Sequence, residues 1–353
     1  MFGLTVITRQ EPPKWGSCLI FPAALALSLG VSCLLLAAQG KPALGGLIIL
    51  FQGAFGASYA VVDTLLKTVP IFLCSLGVAV AFRMQVWNIG AEGQFALGAV
   101  GSTWAALTFP GLPAWLLLPL MFTSSAVLGG LWAMIPAWLK LKLSINEIVT
   151  TLMLNYIGIL ILDYLVYGPW KDPSSYGFPM TKEFPAAAII PTFADSRLHW
   201  GMVLCVVCAL LLWVFLTRTR LGYELKASGE SLRAARYARM PHGFLVLLVM
   251  GLCGALAGWA GLMEASAVVG RLQPSLIVGY GYTAIVVAWL AQLNPGKIAL
   301  ASFFLAALRV GVENLQLELG VPAAFGGIIE GLILLSVLAG QFFNHYRFKR
   351  SAS

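Results

Sequence analysis

Apolar runs close to the length of a membrane span recur along the whole chain, and they constrain its fold more than any other feature. A helix needs about 20 apolar residues to cross a bilayer, at about 1.5 Å of rise per residue. Hydrophobic residues make up 59% of the 353 residues and charged residues only 10%, against roughly 25% charged in soluble domains. So few polar side chains cannot cover a water-facing surface. The composition excludes a soluble enzyme, a nucleic-acid-binding domain and a disordered protein, and it indicates a polytopic membrane protein.

Ten predicted spans follow from these runs. They cover residues 18–38, 64–82, 95–109, 114–139, 145–167, 200–216, 244–263, 280–293, 298–315 and 321–343. The run 44–55 is too short to span, and we expect it to form a helix at the outer surface. The first span is too long for a signal peptide and lacks a good cleavage site, so we expect it to be retained. The sequence thus predicts an all-α fold: a polytopic transmembrane helical bundle of about ten spans, forming one domain over residues 1–353.

The basic residues predict the orientation of this bundle. With both termini placed in the cytoplasm, 15 of the 22 lysines and arginines fall on the inner side and 6 on the outer side, and Arg309 lies within a span. Inner loops of membrane proteins carry such an excess. We therefore expect both termini to be cytoplasmic. The same bias explains the net charge of +8 without a nucleic-acid partner.

Two predicted loops are long, and the inner one contains a strong helix signal. The outer loop, 168–199, is rich in prolines and is expected to form an ordered cap. The inner loop, 217–242, contains a predicted helix at 230–239, capped by Ser228 and stopped by Pro241. Its small, alanine-rich face suits a protein groove, whereas a surface helix bound to anionic lipid is the alternative interpretation. The six cysteines lie in apolar runs without the spacing of a metal site, and we expect packing thiols.

A polar segment with two glycines interrupts the apolar pattern at residues 87–94. Glycine and polar side chains disfavour a continuous helix there, so the sequence predicts a helix break. Irregular backbone at membrane depth is tolerated only beside protein or a water-filled cavity. Asn88, Glu92 and Gln94 either hold the broken helix together or contact a transported solute. Glu92 is expected to accept hydrogen bonds from backbone N–H groups at the break or from the solute, and Trp87 is a weak candidate for stacking on a nucleobase.

Further polar residues lie within predicted spans, where they are costly and therefore site candidates. Asn155 either bonds across helices or faces a translocation path. Arg309 and Glu313 are four residues apart and can pair, with snorkelling to the interface as the favoured interpretation of Arg309. Glu330 lies mid-span and needs a partner or a proton; it faces either the path or a second subunit. The spacings Gly254-x-x-x-Gly258 and Gly327-x-x-x-Gly331 predict close helix packing.

Four separated segments resemble one known family. "ELKASGESLRAARYARMP" resembles the coupling-helix segment of bacterial ABC-importer permeases of the ribose-permease-like branch. "MQVWNIGAEGQFALGA", "INEIVTTLMLNYI" and "GYGYTAIVVAWLAQLNPGKI" are similar to its nucleoside and simple-sugar subgroup. The resemblance runs from about Ala60 to Phe343. One departure is Arg239, where the family usually has glycine.

The resemblance implies a permease domain whose inner loop receives the motion of an ATPase. The implied coupling residues are Glu230, Ser231, Leu232, Arg233, Ala234, Ala235, Arg236 and Tyr237. The candidate path or substrate residues come from the polar and aromatic positions described above and not from the resemblance; they are Trp87, Asn88, Glu92, Gln94, Asn155 and Glu330. The chain contains no G-x-x-x-x-G-K-S/T phosphate loop, so ATP and Mg²⁺ are expected on separate ABC ATPase subunits, with no catalytic residue, cofactor or metal on this chain.

The resemblance also implies partners and a location. The expected partners are the ATPase subunits, a second homologous permease, an extracytoplasmic substrate-binding lipoprotein and the lipid bilayer, with no nucleic acid. The expected location is the bacterial inner membrane. Alternatives are the same permease role for simple sugars or riboflavin, and an ion-coupled secondary transporter that uses Glu92 and Glu330. An intramembrane enzyme is the least favoured, because the three histidines are far apart and no H-E-x-x-H motif is present.

Overall fold

The computed structural model describes residues 4–8, 16–193, 196–322 and 324–350, and they are nearly all helical. The helices are α1 (Gly16–Ala38), α2 (Ala43–Phe55), α3 (Ser58–Arg83), α4 (Ala91–Thr108), α5 (Ala114–Leu143), α6 (Glu147–Tyr167), α7 (Gly201–Arg218), α8 (Arg220–Glu230), α9 (Leu232–Tyr237), α10 (His242–Met263), α11 (Tyr280–Leu290), α12 (Pro295–Leu319) and α13 (Ala324–His345). A π-helical segment, Glu264–Val269, continues α10. One antiparallel pair of short strands joins β1 (Leu4–Thr8) to β2 (Tyr346–Arg350), a feature that the all-α prediction did not contain.

Six of the described helices are long and apolar enough to cross a membrane: α3, α5, α6, α7, α10 with its π-helical continuation, and α12. They overlap six of the predicted spans, and most extend beyond them by a few residues. The chain is therefore a multi-pass membrane protein. The helices α1, α4, α11 and α13 occupy the remaining predicted spans but do not meet the same test over their described residues. The count of ten spans and the cytoplasmic location of both termini stay predictions.

The chain divides into two compact units, and the larger one, Val62–Ala306, is built around α4. Both α5 and α10 pack closely on α4. Their contact depends on glycines: a Cβ at Gly98 would collide with the backbone of Gly258, and one at Gly129 with the backbone of Gly254. Such close backbone approach is the usual basis of helix association in membranes. The packing predicted for the Gly254-x-x-x-Gly258 spacing is therefore confirmed.

The smaller unit combines Met1–Val61 with Ala307–Ser353. The helix predicted at 44–55 is α2, and it buries Gly46, Gly53 and Ala54. A Cβ at Gly53 would meet Asn314, so α2 lies close against the second half of α12. The Gly327-x-x-x-Gly331 spacing differs from the prediction, because no described atom lies within 4 Å of a Cβ at either glycine.

Candidate functional site

A helix break is present between α3 and α4, but it lies at residues 84–90 and not at the predicted 87–94, because residues 91–94 already form the first turn of α4. Gln85 adopts a left-handed conformation with φ 58°, which turns the chain immediately after α3. The guanidinium of Arg83 donates to the carbonyl oxygen of Leu293 at 2.8 and 3.1 Å. This bond holds the end of α3 beside the end of α11. The hydrogen bonds of Arg83 therefore fix the position of the break where it leaves α3.

Asn88 and Gln94 close the break with a reciprocal pair of amide bonds. The Asn88 Nδ2 donates to Gln94 Oε1 at 3.0 Å, and Gln94 Nε2 donates to Asn88 Oδ1 at 3.1 Å. The same Oδ1 accepts from the N–H of Gly90 at 2.9 Å. Asn88 is 0% exposed and Gln94 1% exposed. Buried polar groups need hydrogen-bond partners. Asn88 and Gln94 supply these partners to each other and to the Gly90 N–H.

Glu92 accepts two backbone hydrogen bonds, but from a distant part of the chain. Its Oε1 accepts from the N–H of Gly279 at 2.8 Å and its Oε2 from the N–H of Gly281 at 2.6 Å. These two N–H groups belong to the start of α11, where a negative charge is favoured. A Cβ at Gly281 would collide with the backbone N of Glu92, so glycine is needed for this approach. The sequence predicted donors at the break, and this is wrong: Glu92 does accept from backbone N–H groups, but they lie at the start of α11.

Asn155 bonds across helices, one of the two alternatives left open by the sequence. Its Oδ1 accepts from the N–H of Gly93 at 2.8 Å. Its Nδ2 donates to the carbonyl oxygen of Ile89 at 2.8 Å and to the hydroxyl of Tyr282 at 3.2 Å. Asn155 is itself 0% exposed. It therefore joins α6 to both sides of the break and to α11.

We call Asn88, Glu92, Gln94 and Asn155 the polar cluster. All four are at most 1% exposed, and every one of them makes at least two hydrogen bonds within the chain. In this conformation the cluster fixes the relative positions of α4, α6 and α11. Its side chains are therefore not accessible at the surface of the described chain in this conformation.

Trp87 lies at the edge of the break and is half-buried. Its ring stacks on Trp289 of α11, with centroids 5.6 Å apart and an interplanar angle of 24°, and it also contacts Phe82 at 5.2 Å. Its backbone N–H points at Glu147 Oε1 at 3.5 Å, and Glu147 forms an ion pair with Lys140. One face of the indole is thus covered by Trp289.

Glu330 lies in the smaller unit, and the structure pairs it with Arg309. The Arg309 Nε and Glu330 Oε1 are 3.9 Å apart, and both side chains are less than 20% exposed. The sequence predicted a partner or a proton for Glu330, and the partner is present. The predicted snorkelling of Arg309 is not observed, because its guanidinium is directed to α13. The sequence suggested Glu313 as the partner of Arg309 because the two residues are four apart on one helix. A pairing between two helices, such as Arg309 with Glu330, is not visible in a sequence.

The inner loop differs from the single predicted helix at 230–239. Glu230 is the last residue of α8, and Ser231 is extended with φ −152°. The Ser231 Oγ accepts from the N–H of Ala234 at 3.3 Å and caps α9. Ser228, the predicted cap, instead bonds the Nδ1 of His242 at 2.7 Å. The predicted helix start is wrong because Ser228 and Glu230 belong to a separate helix, α8, and α9 begins only after Ser231.

The short helix α9 presents most of its side chains to solvent. Ala235 is 1% exposed and fixes the helix to the rest of the chain. Leu232 is 38% and Tyr237 94% exposed, and Glu230, Ser231, Arg233, Ala234 and Arg236 are exposed or half-exposed around them. Arg239 has φ 54°, a conformation that favours glycine.

The outer loop is ordered by bonds to the segment that follows the π-helix. Arg271 donates to Glu183 at 2.7 Å, and the N–H of Thr181 donates to the carbonyl oxygen of Leu272 at 3.0 Å. His199 ends the loop, and its Nδ1 accepts from the N–H of Gly201 at 3.0 Å. Burial lowers the pKa of His199 to about 4, so the ring is neutral near pH 7.

Sequence reasoning missed the groups that complete the site. These are Thr151, whose Oγ1 accepts from the N–H of Ile89 at 3.2 Å, together with Gly279, Gly281, Tyr282 and Trp289. The signal that could have found most of them is the run Gly279-Tyr280-Gly281-Tyr282 at the start of a predicted span. Two glycines there leave backbone N–H groups open to close approach.

The chain is similar to known permease proteins along most of its length. Residues 60–338 match the model of a family described as the permease component of branched-chain amino acid transport systems. The chain is 36% identical to a glucose ABC transporter permease protein of Haloferax volcanii, over 96% of this chain and 92% of the relative. It is 32% identical to a guanosine ABC transporter permease protein of Bacillus subtilis, over 89% and 91%. A nucleoside ABC transporter permease protein of Lactococcus lactis is 26% identical over 89% and 88%.

Proposed function

The chain belongs to the family of branched-chain amino acid transport system permease components, and from this premise we propose that it is the membrane-spanning subunit of an ATP-driven ABC importer for nucleosides. The observation that carries the proposal is the similarity to named ABC permeases along nearly the whole chain. It is supported by an exposed short helix, α9, in the most basic loop. The location that follows is the bacterial inner membrane.

Nucleosides are the first candidate for the solute and a sugar is the second. Two of the similar relatives are named for guanosine and nucleosides, and the quoted motifs resemble the nucleoside and simple-sugar subgroup. A specific observation favours the sugar: the relative at 36% identity is named for glucose. Both classes are neutral and polyhydroxylated. A path for either class needs aromatic and hydrogen-bonding side chains and no strong charge.

The coupling step is assigned to residues 230–237, with α9 as the part that meets the ATPase. Leu232, Arg233, Arg236 and Tyr237 are exposed and form the docking surface. Ala235 is buried and anchors the helix from inside. ATP and Mg²⁺ are bound by the ATPase subunits, whose closure pushes on α9. Alternating access follows when this push rocks the permease against a second, homologous permease.

A route from α9 to the break supports this coupling. At the end of α8, a Cβ at Gly229 would collide with the carbonyl oxygen of Arg83, so the loop rests on the last residue of α3. The guanidinium of Arg83 holds Leu293 at the end of α11. Ser228 fixes the same loop to His242 at the start of α10. Movement of the loop therefore acts directly on α3, α10 and α11 around the break.

The extracytoplasmic lipoprotein is assigned to the outer loop. That loop is held in one conformation by Arg271 with Glu183 and by the bonds between Thr181 and Leu272. A rigid cap suits a partner that must dock, release its solute and leave. The solute then enters the path from that side.

The ion-coupled alternative is less well supported by the geometry. It requires Glu92 and Glu330 to exchange an ion or a proton with water during transport. Glu92 is 1% exposed and accepts from two backbone N–H groups. Glu330 lies beside the guanidinium of Arg309. Both carboxylates have structural partners in the chain, as expected for residues that hold helices together.

The test is uptake by the complex that purifies with this chain in mild detergent, reconstituted into vesicles. We expect ATP-dependent uptake of radiolabelled guanosine, little uptake of glucose or leucine, and no uptake with an ATPase that cannot hydrolyse ATP. Preferred uptake of glucose would establish the sugar alternative. Uptake driven by an ion gradient without ATP would overturn the proposal.

A matched pair of variants tests the coupling assignment in the same vesicles. Arg236→Glu reverses a charge on the exposed face of α9, and we expect loss of ATPase binding with normal membrane insertion. Lys142→Glu reverses a charge at the end of α5, where Lys142 is exposed and lies outside the inner loop, and it is the control. Equal loss in both variants, or none in Arg236→Glu, would remove α9 from the docking surface.

A further inference from the structure

The polar cluster has one exposed neighbour, and this neighbour is the starting point of a further inference. Asn155 donates to the hydroxyl of Tyr282 at 3.2 Å. Tyr282 is 37% exposed, whereas the four members of the cluster are at most 1% exposed. A solute near the break would therefore meet Tyr282 before any amide or carboxylate of the cluster.

The outward face of α11 is narrow and partly aromatic. All residues of α11 are described, and Tyr282 is the one exposed residue among them; Ile285 and Trp289 are half-buried. Residues three and four apart lie on one helix face, so these three side chains form a single line. At its end, Trp289 stacks on Trp87 with centroids 5.6 Å apart. The line thus leads from the break to the stacked tryptophans.

A second tyrosine lies beside this line on α6. Tyr156 directly follows Asn155 and is 58% exposed. The residue before it, Asn155, bonds the Tyr282 hydroxyl at 3.2 Å, which brings the two tyrosines to the same region. Tyr156 is nine residues after the first residue of α6, which corresponds to about 14 Å along a helix. That depth is near the middle of a bilayer core of about 30 Å.

Tyrosine at mid-depth differs from the outward faces of neighbouring helices. On α7 the exposed side chains in the middle of the helix are aliphatic: Val203, Val206, Val207, Leu210 and Leu211. On α5 the exposed tryptophans, Trp115 and Trp138, lie towards the ends of the helix. Aromatic residues with a polar atom prefer the membrane interfaces when they face lipid. The position of Tyr156 is therefore unusual for a lipid contact and suits a polar path.

We propose that Tyr156 and Tyr282 form a solute-contact pair at the middle of the translocation path, and that the pair recognises a planar nucleobase. Tyrosine rings give offset or edge contacts to flat rings, and their hydroxyls donate and accept hydrogen bonds. Asn155 holds the Tyr282 hydroxyl in place. The inference rests on the proposed function, because it takes the solute class from there.

Cysteine accessibility tests the pair in the full complex. Tyr156→Cys, Tyr282→Cys and the control Leu211→Cys, which replaces a 64% exposed residue of α7, are treated in vesicles with a negatively charged methanethiosulfonate reagent. Thiols react as thiolates, so reaction requires water. The five described native cysteines are buried or half-buried, and labelling is measured above the parent chain. We expect the two tyrosine positions to react at least tenfold faster than position 211.

Protection of the thiols by solute then distinguishes residues that contact the solute from residues that are only reached by water. We expect saturating guanosine to slow labelling of both tyrosine positions at least fivefold and glucose to have no effect. Labelling that equals position 211, or labelling that guanosine does not slow, overturns the pair. Protection by glucose alone overturns the nucleobase assignment. If the parent complex takes up no guanosine with ATP, the proposed function fails instead, and this is measured in the same vesicles.

Conservative variants give a second readout that does not depend on thiol chemistry. Tyr156→Phe keeps the ring and Tyr156→Leu removes it, so ring stacking predicts a small rise in guanosine KM for the first and about a tenfold rise for the second, as one aromatic contact is worth up to about 1.5 kcal/mol. Tyr282→Phe is expected to raise KM and also to loosen selection among bases. Equal KM in all three variants contradicts the pair.

Discussion

Glu92 and Glu330 are two carboxylates that the sequence offered as equivalent path candidates. They differ in their partners, because backbone N–H groups bind Glu92 and an arginine side chain lies beside Glu330. Glu92 joins α4 to the start of α11 through two backbone N–H groups. Glu330 faces a charged side chain, with Arg309 at 3.9 Å on a neighbouring helix. Backbone donors have fixed positions, whereas a guanidinium can follow its partner. A carboxylate bound by backbone amides therefore fixes two helices rigidly, and an ion pair between side chains permits small movement.

The largest effect that would test this difference is expected for Glu92→Ala. The change leaves two buried N–H groups without their charged acceptor, and hydrogen bonds to charged groups contribute about 1.5–3 kcal/mol each. We expect a large drop in thermal stability in detergent and at least a tenfold loss of uptake per inserted molecule. Glu92→Gln keeps one acceptor oxygen and is the matched control, with an intermediate effect. Unchanged stability in Glu92→Ala would show that the two bonds do not hold α11.

A smaller and reversible effect is expected for the ion pair. Glu330→Ala leaves Arg309 without its carboxylate, and breaking a buried pair costs about 3–5 kcal/mol; this is an upper bound, because both side chains are partly exposed. The double variant Arg309→Glu with Glu330→Arg restores opposite charges. We expect it to regain at least half of the lost stability, measured by thermal unfolding. If the double variant does not regain stability, attraction between opposite charges does not account for the contribution of Arg309 and Glu330.

A third buried ionisable group, His199, avoids charge instead of pairing it. Its Nε2 has no hydrogen-bond partner among the described residues, and burial lowers the pKa to about 4. The unfolded chain takes up a proton near pH 6.5 and the folded chain does not. Stability is therefore complete above about pH 6.5 and is lost as the pH falls to about 4, by up to roughly 1.4 kcal/mol per pH unit.

The control for this pH dependence is His199→Asn. Asparagine retains an acceptor for the N–H of Gly201 and does not titrate. Unfolding of detergent-solubilised protein, measured between pH 8 and pH 4.5, is expected to depend less on pH in the variant than in the parent. The same pH slope in both proteins would place the titrating group elsewhere.

The sequence was sufficient for features that depend on neighbours along the chain. A helix break near residues 87–94 was expected from glycines and polar side chains close together, and the break lies just before that segment, at 84–90. The long helices follow from the apolar runs. Features that depend on distant neighbours were missed. The donors to Glu92 lie 187 and 189 residues away, and Arg309 lies beside Glu330 on another helix, α13. At the inner loop, Ser228 and Ser231 both have the chemistry of a cap, but Ser228 lies inside α8 and bonds His242, so Ser231 caps α9.

The smallest effect is expected at Thr151, which lies at the same break as Glu92 but uses a neutral bond. The Thr151 Oγ1 accepts from the N–H of Ile89 at 3.2 Å and donates to the carbonyl oxygen of Glu147 at 2.6 Å. Thr151→Val has the same shape without the acceptor, and side-chain hydrogen bonds within membranes average about 0.6 kcal/mol. We expect a loss of that size in thermal unfolding, with uptake nearly unchanged, and no loss in Thr151→Ser. A loss of stability as large as that of Glu92→Ala would mean that the hydrogen bonds at the break act cooperatively. The charge of Glu92 would then not explain the size of its effect.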